Sequence, residues 1–401
     1  MIRSLKAFWQ RISEGMAVQQ LWAQFRAEAR TGYELYSKEV DWTRGQGESR
    51  MRRAARVAQG LFWAMMLKLS PQRRAILLIA LILIAFPGFT MRYRDFAIDT
   101  PNLAFFGCLG LLVLLTLELA DRVTMKRDLE IAREIQSWLM PEAPPRIPGV
   151  EIVFATRPAN TVAGDYYDAF LRATATDKDP HGANGDGPLL FVVADVAGKS
   201  VPAALLMATL QASLRTLATF PASLLQLVER LNQYVCGQNL GGRRFITAFL
   251  AELQPATGRL NYINAGHNWP ALRRASGVIE RLQVGGLPLG IRPGAQYECG
   301  EAIIGTGDLL LIFTDGVIEA ENDKEEEYGE ARLLGIMRDP LAQNAADVLN
   351  ILMASVDTFV GSARQHDDIT CLVLRTVAES LPVGEPVARA VDKPVSVPAV
   401  M

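Results

Sequence analysis

Cysteine and histidine are scarce in this chain of 401 residues. Its four cysteines show neither paired spacing nor a metal-ligand pattern; they are Cys108, Cys236, Cys299 and Cys371. This scatter argues against the disulfide framework of an exported domain and suits a reducing cytosol. Only three histidines are present, so a catalytic site has few candidates for a proton-donating imidazole.

An excess of either charge is also lacking. The formal net charge is −2, and no basic stripe accompanies the motifs considered below, so nucleic acid is not expected as a partner. Hydrophobic residues make up 50% of the chain, which is high for a wholly soluble protein. We therefore expect part of the chain to lie in a lipid bilayer.

Two apolar runs provide that part, from Ala75 to Phe89 and from Leu103 to Ala120. They predict a two-helix transmembrane hairpin within residues 73–120. Basic residues flank its outer ends: Arg73, Arg74, Arg122, Lys126 and Arg127. Because basic flanks stay on the cytoplasmic side, the sequence predicts a multi-pass protein of the inner (cytoplasmic) membrane whose C-terminal domain is cytoplasmic.

The segments around the hairpin differ in character. Residues 1–72 are basic and rich in tryptophan, which fits either a segment on the membrane surface or ordinary helices with solvated charges. Residues 121–140 predict a linker helix whose apolar stripe could pair two chains as a coiled coil. The stripe contains Met125, Leu129, Ala132 and Leu139, and Gln136 interrupts it. Residues 377–401 predict a disordered tail.

Four aspartates stand where apolar runs begin or end: Asp165, Asp195, Asp315 and Asp367. The runs are typical of buried strands. Buried carboxylates are costly, and several at one edge of a sheet repel one another. A divalent cation removes both penalties, and hard cations such as Mg²⁺ and Mn²⁺ prefer oxygen ligands. The spacing therefore predicts a metal site.

Local patterns place these aspartates among strands and helices. Ser200 is predicted to cap a helix from Val201 to Ala218. Its apolar positions favour burial of Leu205, Ala208, Ala212, Leu214 and Leu217. Two apolar segments, Phe245 to Leu253 and Gly258 to Ala265, are joined by a short turn. This hairpin pattern favours antiparallel pairing over a nucleotide-binding βαβ arrangement.

Six sequence blocks follow one another along the chain: GDYYD at 164–168, DVAGKSVPAALLMA at 195–208, NAGHNWPAL at 264–272, GLPLGI at 286–291, FTDGVIEAEN at 313–322 and DDIT at 367–370. In this respect the chain resembles the bacterial serine phosphatases of the SpoIIE and RsbU type, within the PPM (PP2C-like) superfamily. The resemblance covers roughly residues 129–376. It implies an α+β fold, a sandwich of two antiparallel sheets flanked by helices, with the phosphatase domain over residues 141–376.

The resemblance also implies the chemistry of the site. Two Mn²⁺ or Mg²⁺ ions would share a water that attacks phosphorus. Asp165, Asp195 and the carbonyl of Val196 would bracket the ions, and Asp315 and Asp367 would complete the ligand set. Asp168 and Asp368 are assigned turn or cap roles, and His267 a structural one. The family usually has glycine at the positions of Ala163 and Ser200, and no residue is assigned as the leaving-group acid.

The resulting functional hypothesis is metal-dependent hydrolysis of phosphoserine or phosphothreonine on a regulatory protein of the anti-anti-sigma-factor type. The enzyme would be anchored in the membrane and controlled by a signal passing through the linker to the helix after Ser200. Homodimerisation through the linker is a further hypothesis. Two alternatives stay open: a non-catalytic membrane signalling module, and a metal hydrolase of a small phosphate ester.

Overall fold

The computed structural model describes residues 66–86, 90–93, 96–99, 103–172, 187–238, 244–338 and 344–377, with positions 51, 59–60 and 63. Most of the predicted segment 1–72 and nearly all of the predicted tail 377–401 lie outside these residues. The chain divides into two compact units, and the division falls between Met125 and Lys126.

The first unit contains the predicted hairpin region. Helix α1 covers Pro71–Ala85, and helix α2 runs from Leu103 to Leu139, across the division between the units. The connection contains a two-stranded antiparallel pair, β1 (Thr90–Tyr93) and β2 (Phe96–Asp99), where the sequence suggested only a loop. The 15 residues of α1 reach only about 22 Å, short of the roughly 30 Å of a hydrocarbon core.

Helices α1 and α2 contact each other closely within this unit. A side chain at Gly107 would lie 2.7 Å from the carbonyl oxygen of Ala80, so only glycine allows this approach of the two backbones. At the other end, Arg73 pairs with Glu118 at 3.0 Å and with Asp121 at 2.7 Å. Small residues in the apolar part and ion pairs at its edge are what a helical hairpin requires.

Two helices in the described part of the chain are long and apolar enough to cross a membrane, Leu103–Leu139 and Val201–Ala218. Only 6% of the apolar window in Leu103–Leu139 is buried, against 33% in Val201–Ala218. The second helix packs on a sheet within the C-terminal unit, which explains its apolar composition without a membrane. The first remains the better candidate for a span.

The second unit is a four-layer arrangement of helices, sheet, sheet and helices. The strands of this unit are β3 Val150–Arg157, β4 Tyr166–Leu171, β5 Leu189–Val196, β6 Ile246–Gln254, β7 Arg259–Ala265, β8 Ala271–Arg273, β9 Ile279–Arg281, β10 Gly285–Gly286, β11 Gly300–Ile303, β12 Leu309–Phe313 and β13 Ile369–Thr376. One sheet has the order β3-β13-β12-β8-β9, and the other has the order β10-β7-β6-β5-β4, with β11 also paired to β7. The pairing is antiparallel except between β10 and β7, and the predicted β6–β7 hairpin is confirmed.

Three apolar clusters explain why strands such as β5 are apolar on both faces. Phe191 and Val193 point between the two sheets and pack with Phe249 and Ile312. Their neighbours in β5 point outward, toward helices α3 (Val201–Ala218) and α4 (Leu224–Gly237). On the far side, α6 (Glu330–Met337) and α7 (Ala345–Val360) cover the other sheet. The sandwich predicted from the resemblance is confirmed.

Helix α3 has the predicted bounds, and its buried face agrees with the prediction in part. It buries Ala203, Leu206, Met207, Leu210, Leu214 and Ala218. The predicted burial of Leu214 is confirmed, and Ala208 and Leu217 are partly buried, whereas Leu205 is 64% exposed and Ala212 is exposed. Most of α3 is apolar, so its composition did not distinguish the faces, and the position of the sheet decided between them. Ser200 occupies the predicted N-cap position of α3, but its side chain makes no capping hydrogen bond.

The linker part of α2 also presents a face that its sequence pattern did not select. Leu129, Ala132 and Leu139 of the predicted stripe are partly covered, together with Gln136. Another stripe, Ile131, Ile135 and Trp138, is 47%, 48% and 72% exposed. These residues are spaced by four and three and therefore share one side of the helix.

Candidate active site

The strand pairing brings all four predicted aspartates to one end of the sandwich. In the sheet that contains β4 and β5, the start of β4 pairs with the end of β5, so Asp165 lies near Asp195. In the sheet that contains β12 and β13, the end of β12 pairs with the start of β13, so Asp315 lies near Asp367. Asp315 is also the first residue of a short helix, α5 (Asp315–Ile318). Antiparallel register gives one pair of acids in each sheet, and the face-to-face packing of the sheets brings the two pairs together.

Burial and the charges of neighbouring acids raise the pKa values of Asp165, Asp195 and Asp315. Burial raises the pKa of Asp195 to about 7, with further contributions from Asp315, Asp367 and Asp368. Burial, then the charge of Asp195 and that of Asp368, raise the pKa of Asp165 well above its usual range. The pKa of Asp315 is raised by burial and by Asp367. Strong perturbation of several acids at one place is typical of a functional site.

The neighbouring acid Asp368 holds the Asp165 loop in place. Its two carboxylate oxygens accept hydrogen bonds from the backbone N–H groups of Ala159 at 2.7 Å and Gly164 at 2.6 Å. Thr314 donates its hydroxyl to Asp165 Oδ2 at 2.9 Å. The turn-stabilising role predicted for Asp368 agrees with these contacts, and the part played by Thr314 had no signal in the sequence.

Asp168 belongs to a separate, structural contact and makes no turn or cap. It is fully buried on β4 and accepts two 2.7 Å hydrogen bonds from the Arg215 guanidinium and one from the Tyr166 hydroxyl, also at 2.7 Å. Arg215 lies over the ring of Phe170, 3.9 Å from its centroid. Asp168 therefore fixes α3 to β4, and its side chain bonds to Arg215 and Tyr166 instead of to the acidic cluster.

The backbone around the cluster fits a close approach to a cation. A side chain at Gly316 would lie 2.1 Å from the carbonyl oxygen of Asp368, and one at Gly164 would lie 3.4 Å from that of Val196. The carboxylates and this carbonyl are the hard oxygen donors that Mn²⁺ and Mg²⁺ prefer. Within the described residues, however, no three acidic, histidine or cysteine side chains stand gathered in ion-binding geometry. The residues therefore offer the type of oxygen donor that two divalent ions require, without the assembled geometry.

A basic residue stands beside the acidic cluster. Lys199 Nζ lies 3.1 Å from Asp367 Oδ2 and donates to the carbonyl oxygen of His366 at 2.7 Å. Lys199 and Asp367 line an open cavity of about 140 Å³, together with Arg157, Glu319, Gln365 and His366 among others. A substrate phosphate bound in this cavity would be next to the cluster.

The linker helix contacts the catalytic loop through Gln136. Its side-chain amide donates to the carbonyl oxygen of Ala163 at 2.7 Å and accepts from the N–H of the same residue at 2.9 Å. Ala163 is two residues before Asp165, so the first structural contact of the linker is with the Asp165 loop. The sequence suggested the helix after Ser200 as the receiver and treated Gln136 as an interruption.

Of the histidines in the described residues, His267 does not supply an acid at the cluster. His267 is buried, its Nδ1 lies 3.1 Å from Thr247 Oγ1, and burial lowers its pKa to about 4. A neutral, hydrogen-bonded imidazole agrees with the structural role predicted for it. His366 is exposed beside Glu321, and His181 lies outside the described residues.

Comparison with known proteins agrees with this geometry. Residues 185–377 match the family described as Stage II sporulation protein E (SpoIIE). The chain is 28% identical over 253 residues to phosphoserine phosphatase RsbU of Bacillus subtilis, covering 63% of this chain and 70% of RsbU. Over this segment the chain is therefore similar to the phosphatases of the SpoIIE and RsbU type. Asp195, Asp315 and Asp367 lie inside the matched segment, whereas Asp165 precedes it.

Other relatives include a longer protein and solved structures with the expected fold. The chain is 27% identical over 287 residues to protein IcfG of Synechocystis, but spans only 43% of that protein's length. The RsbU and RsbW domains of a Mycobacterium tuberculosis protein match with a TM-score of 0.50 and 25% identity, over 61% of this chain and 65% of that one. The SiaA-PP2C domain of Pseudomonas aeruginosa shares the fold, with a TM-score of 0.53 and 20% identity, covering 64% of this chain and 98% of that domain.

The raised carboxyl pKa values predict how the cation-free protein responds to pH. Because the pKa of Asp195 is about 7 in the folded state against an ordinary 3.8, the folded protein binds more protons than the unfolded chain between these values. The free energy of unfolding in chelator should therefore be largest at low pH and fall as pH rises from about 4 to about 7. Denaturant titrations at several pH values measure this slope.

Two variants test the origin of the pH slope. Asp195→Asn should flatten it, because the amide cannot lose a proton and repels no neighbour. Asp323→Asn, in an exposed loop, should leave it unchanged. A stability in chelator that rises over this pH range would contradict the acidic cluster as described.

Proposed function

We propose that the chain is a metal-dependent phosphatase that removes phosphate from serine or threonine of a regulatory protein. The observation that carries the proposal is the convergence of Asp165, Asp195, Asp315 and Asp367 at one edge of a PP2C-like sandwich, with raised carboxyl pKa values for the first three. Such groups cannot all ionise without a counter-charge. Two Mn²⁺ or Mg²⁺ ions held by these aspartates and the Val196 carbonyl would supply it.

The residues of the chain have separable tasks in this reaction. When bound, the ions stabilise negative charge on the phosphoryl group and activate a water as nucleophile. Asp368 and Thr314 keep Asp165 oriented, which limits the movement of its carboxylate during the reaction. The cavity beside Asp367 admits the phosphorylated segment, and its basic members Arg157 and Lys199 attract the phosphate.

The relatives and the shape of the site support a protein as the substrate. RsbU is described as a phosphoserine phosphatase, and the Mycobacterium tuberculosis relative combines RsbU and RsbW domains. We propose a phosphorylated partner of the anti-anti-sigma-factor type, in which the phosphoserine charge controls partner choice. The cavity is open on one side, so a protein surface can reach it. A small phosphate ester remains the alternative substrate.

Metal-dependent activity is the first prediction of this proposal. The full-length protein should hydrolyse a phosphoserine protein only with added Mn²⁺ or Mg²⁺, and chelator should abolish the rate. Asp195→Asn and Asp315→Asn should each lower kcat by about a hundredfold or more, because each removes an anionic donor from the ion site. Phosphate release is the measurement.

The matched control for the acidic variants is Asp323→Asn, which should keep the full rate. A full rate for Asp195→Asn in chelator would refute the metal mechanism. Equal kcat/KM on a free nucleotide and on the phosphoprotein would favour the small-ester alternative, since remote contacts with a protein substrate should add transition-state binding. Absence of hydrolysis with intact metal binding would favour a non-catalytic signalling module.

We also propose that residues 73–120 anchor the protein in the inner membrane and that the linker controls the enzyme. The apolar, mostly exposed first part of α2 supports the anchor. The paired hydrogen bonds between Gln136 and Ala163 support the control, because a shift of the linker must either break them or move the loop that carries Asp165. One end of that loop is also held by Asp368, so movement would change the ligand geometry.

Gln136→Ala should therefore lower the activity of the full-length protein in membranes. Loss of two hydrogen bonds of about 0.5 to 1.5 kcal/mol each corresponds to roughly five- to 150-fold in the population of the active loop. Glu134→Ala, exposed on the same helix, should have little effect. Hydrogen exchange at the Ala163 amide gives a second readout and should speed up in Gln136→Ala alone. Wild-type activity and exchange in that variant would make the linker a passive tether.

A homodimer through the linker is proposed on the face that the structure leaves exposed. Ile131, Ile135 and Trp138 form an apolar stripe at coiled-coil spacing, and a second copy could cover it. Ile135→Cys should form a disulfide-linked dimer in oxidised membranes, seen on non-reducing gels. Ser137→Cys, exposed but off the stripe, should cross-link much less. Equal cross-linking of the two variants would argue against this dimer.

A further inference from the structure

The loop that follows Asp195 and Val196 places a lysine against another predicted ligand. The ammonium of Lys199 lies 3.1 Å from Asp367 Oδ2 and 2.7 Å from the carbonyl oxygen of His366. These contacts join the loop after β5 in one sheet to the segment before β13 in the other. Lys199 thus bridges the two sheets at the mouth of the acidic cluster.

The backbone of this loop is held in an unusual conformation. Gly198 has φ +118°, and Ser200 has φ 68° and ψ −155°. Serine rarely adopts this region, which is populated almost only by glycine. Ser200 and Glu325 are the two non-glycine residues with positive φ in the described part of the chain. Lys199 lies between two left-handed residues, and its contacts with Asp367 and His366 help to hold the loop there.

We propose that Lys199 is an internal competitor for the cation at Asp367. Its ammonium neutralises this carboxylate while the ion is absent and must leave when a divalent ion binds there. The side chain is 55% exposed and Asp367 is 41% exposed, so Lys199 can move into the adjacent cavity without leaving a buried charge behind. The inference rests on the proposed function only in that Asp367 belongs to the ion site.

The consequence concerns the concentration of metal at which the site fills. The Lys199 ammonium is attached to the chain and is therefore present at high effective concentration beside Asp367. A divalent ion must displace this ammonium before it can bind the carboxylate. Exposed ion pairs carry little free energy, so competition should weaken ion binding by about two- to fivefold. Near the metal concentration at which the site fills, its occupancy would then respond to changes in ion supply or in the position of the Lys199 loop.

Mn²⁺ binding to the full-length protein, measured by electron paramagnetic resonance of free Mn²⁺, tests the proposal without reference to activity. Lys199→Met keeps the length of the side chain and removes its charge, and it should lower the Kd for Mn²⁺ by about two- to fivefold. Lys199→Arg keeps the charge and should bind more weakly than the Met variant. Lys324→Met, in an exposed loop, should match the wild type.

The outcomes separate this inference from the proposed function. If Lys199→Met binds Mn²⁺ as the wild type does, or more weakly, with an unchanged near-ultraviolet circular dichroism spectrum, internal competition is refuted while the metal site stands. If neither the wild type nor Lys199→Met binds Mn²⁺, both the inference and the metal mechanism fail. Asp315→Asn serves as the reference for loss of the ion site and should weaken binding in either background.

Discussion

Electrostatic repulsion among buried carboxylates is the constraint on which the rest of this domain depends. Asp165, Asp195 and Asp315 are driven toward their protonated forms by burial and by one another. A sandwich built for stability alone would not gather acids at one edge, because each ionised neighbour raises the cost of the next. The acids are tolerable when protons, Lys199 or divalent ions balance them, and the proposed reaction requires the ions.

The elements around the cluster can be understood as means of holding repelling groups in place. Asp368 ties down the Asp165 loop through backbone N–H groups, and Thr314 donates to Asp165 itself. The ion pair between buried Asp168 and partly exposed Arg215 fixes α3 to strand β4. Such supporting contacts limit ligand movement to a scale that catalysis tolerates. They also give distant parts of the protein a mechanical route to the site.

We propose Gln136 and Lys199 as two such routes. Gln136 acts on the Asp165 loop from the linker helix, whereas Lys199 acts on Asp367 from the loop before α3. Both contacts are few and partly exposed, so each is weak enough to be made and broken in a regulatory cycle. If the linker pairs in a dimer or moves with the membrane helices, Gln136 is where that change first meets the catalytic domain.

The sequence by itself determined the order of elements, the antiparallel sandwich implied by its six blocks, and the identity of the acidic residues. The acidic residues and the strand ends depend on local composition and on the ends of apolar runs, which are readable along the chain, whereas the sandwich was implied by the resemblance of the six blocks. It did not determine which face of α3 is buried, which stripe of the linker is exposed, or what Gln136 and Lys199 contact. Those depend on the position of a sheet or loop far away in sequence, and an apolar or polar side chain carries no record of its distant partner. Only the tertiary structure, by register and packing, made Gln136 a link to Ala163 and brought Lys199 to Asp367.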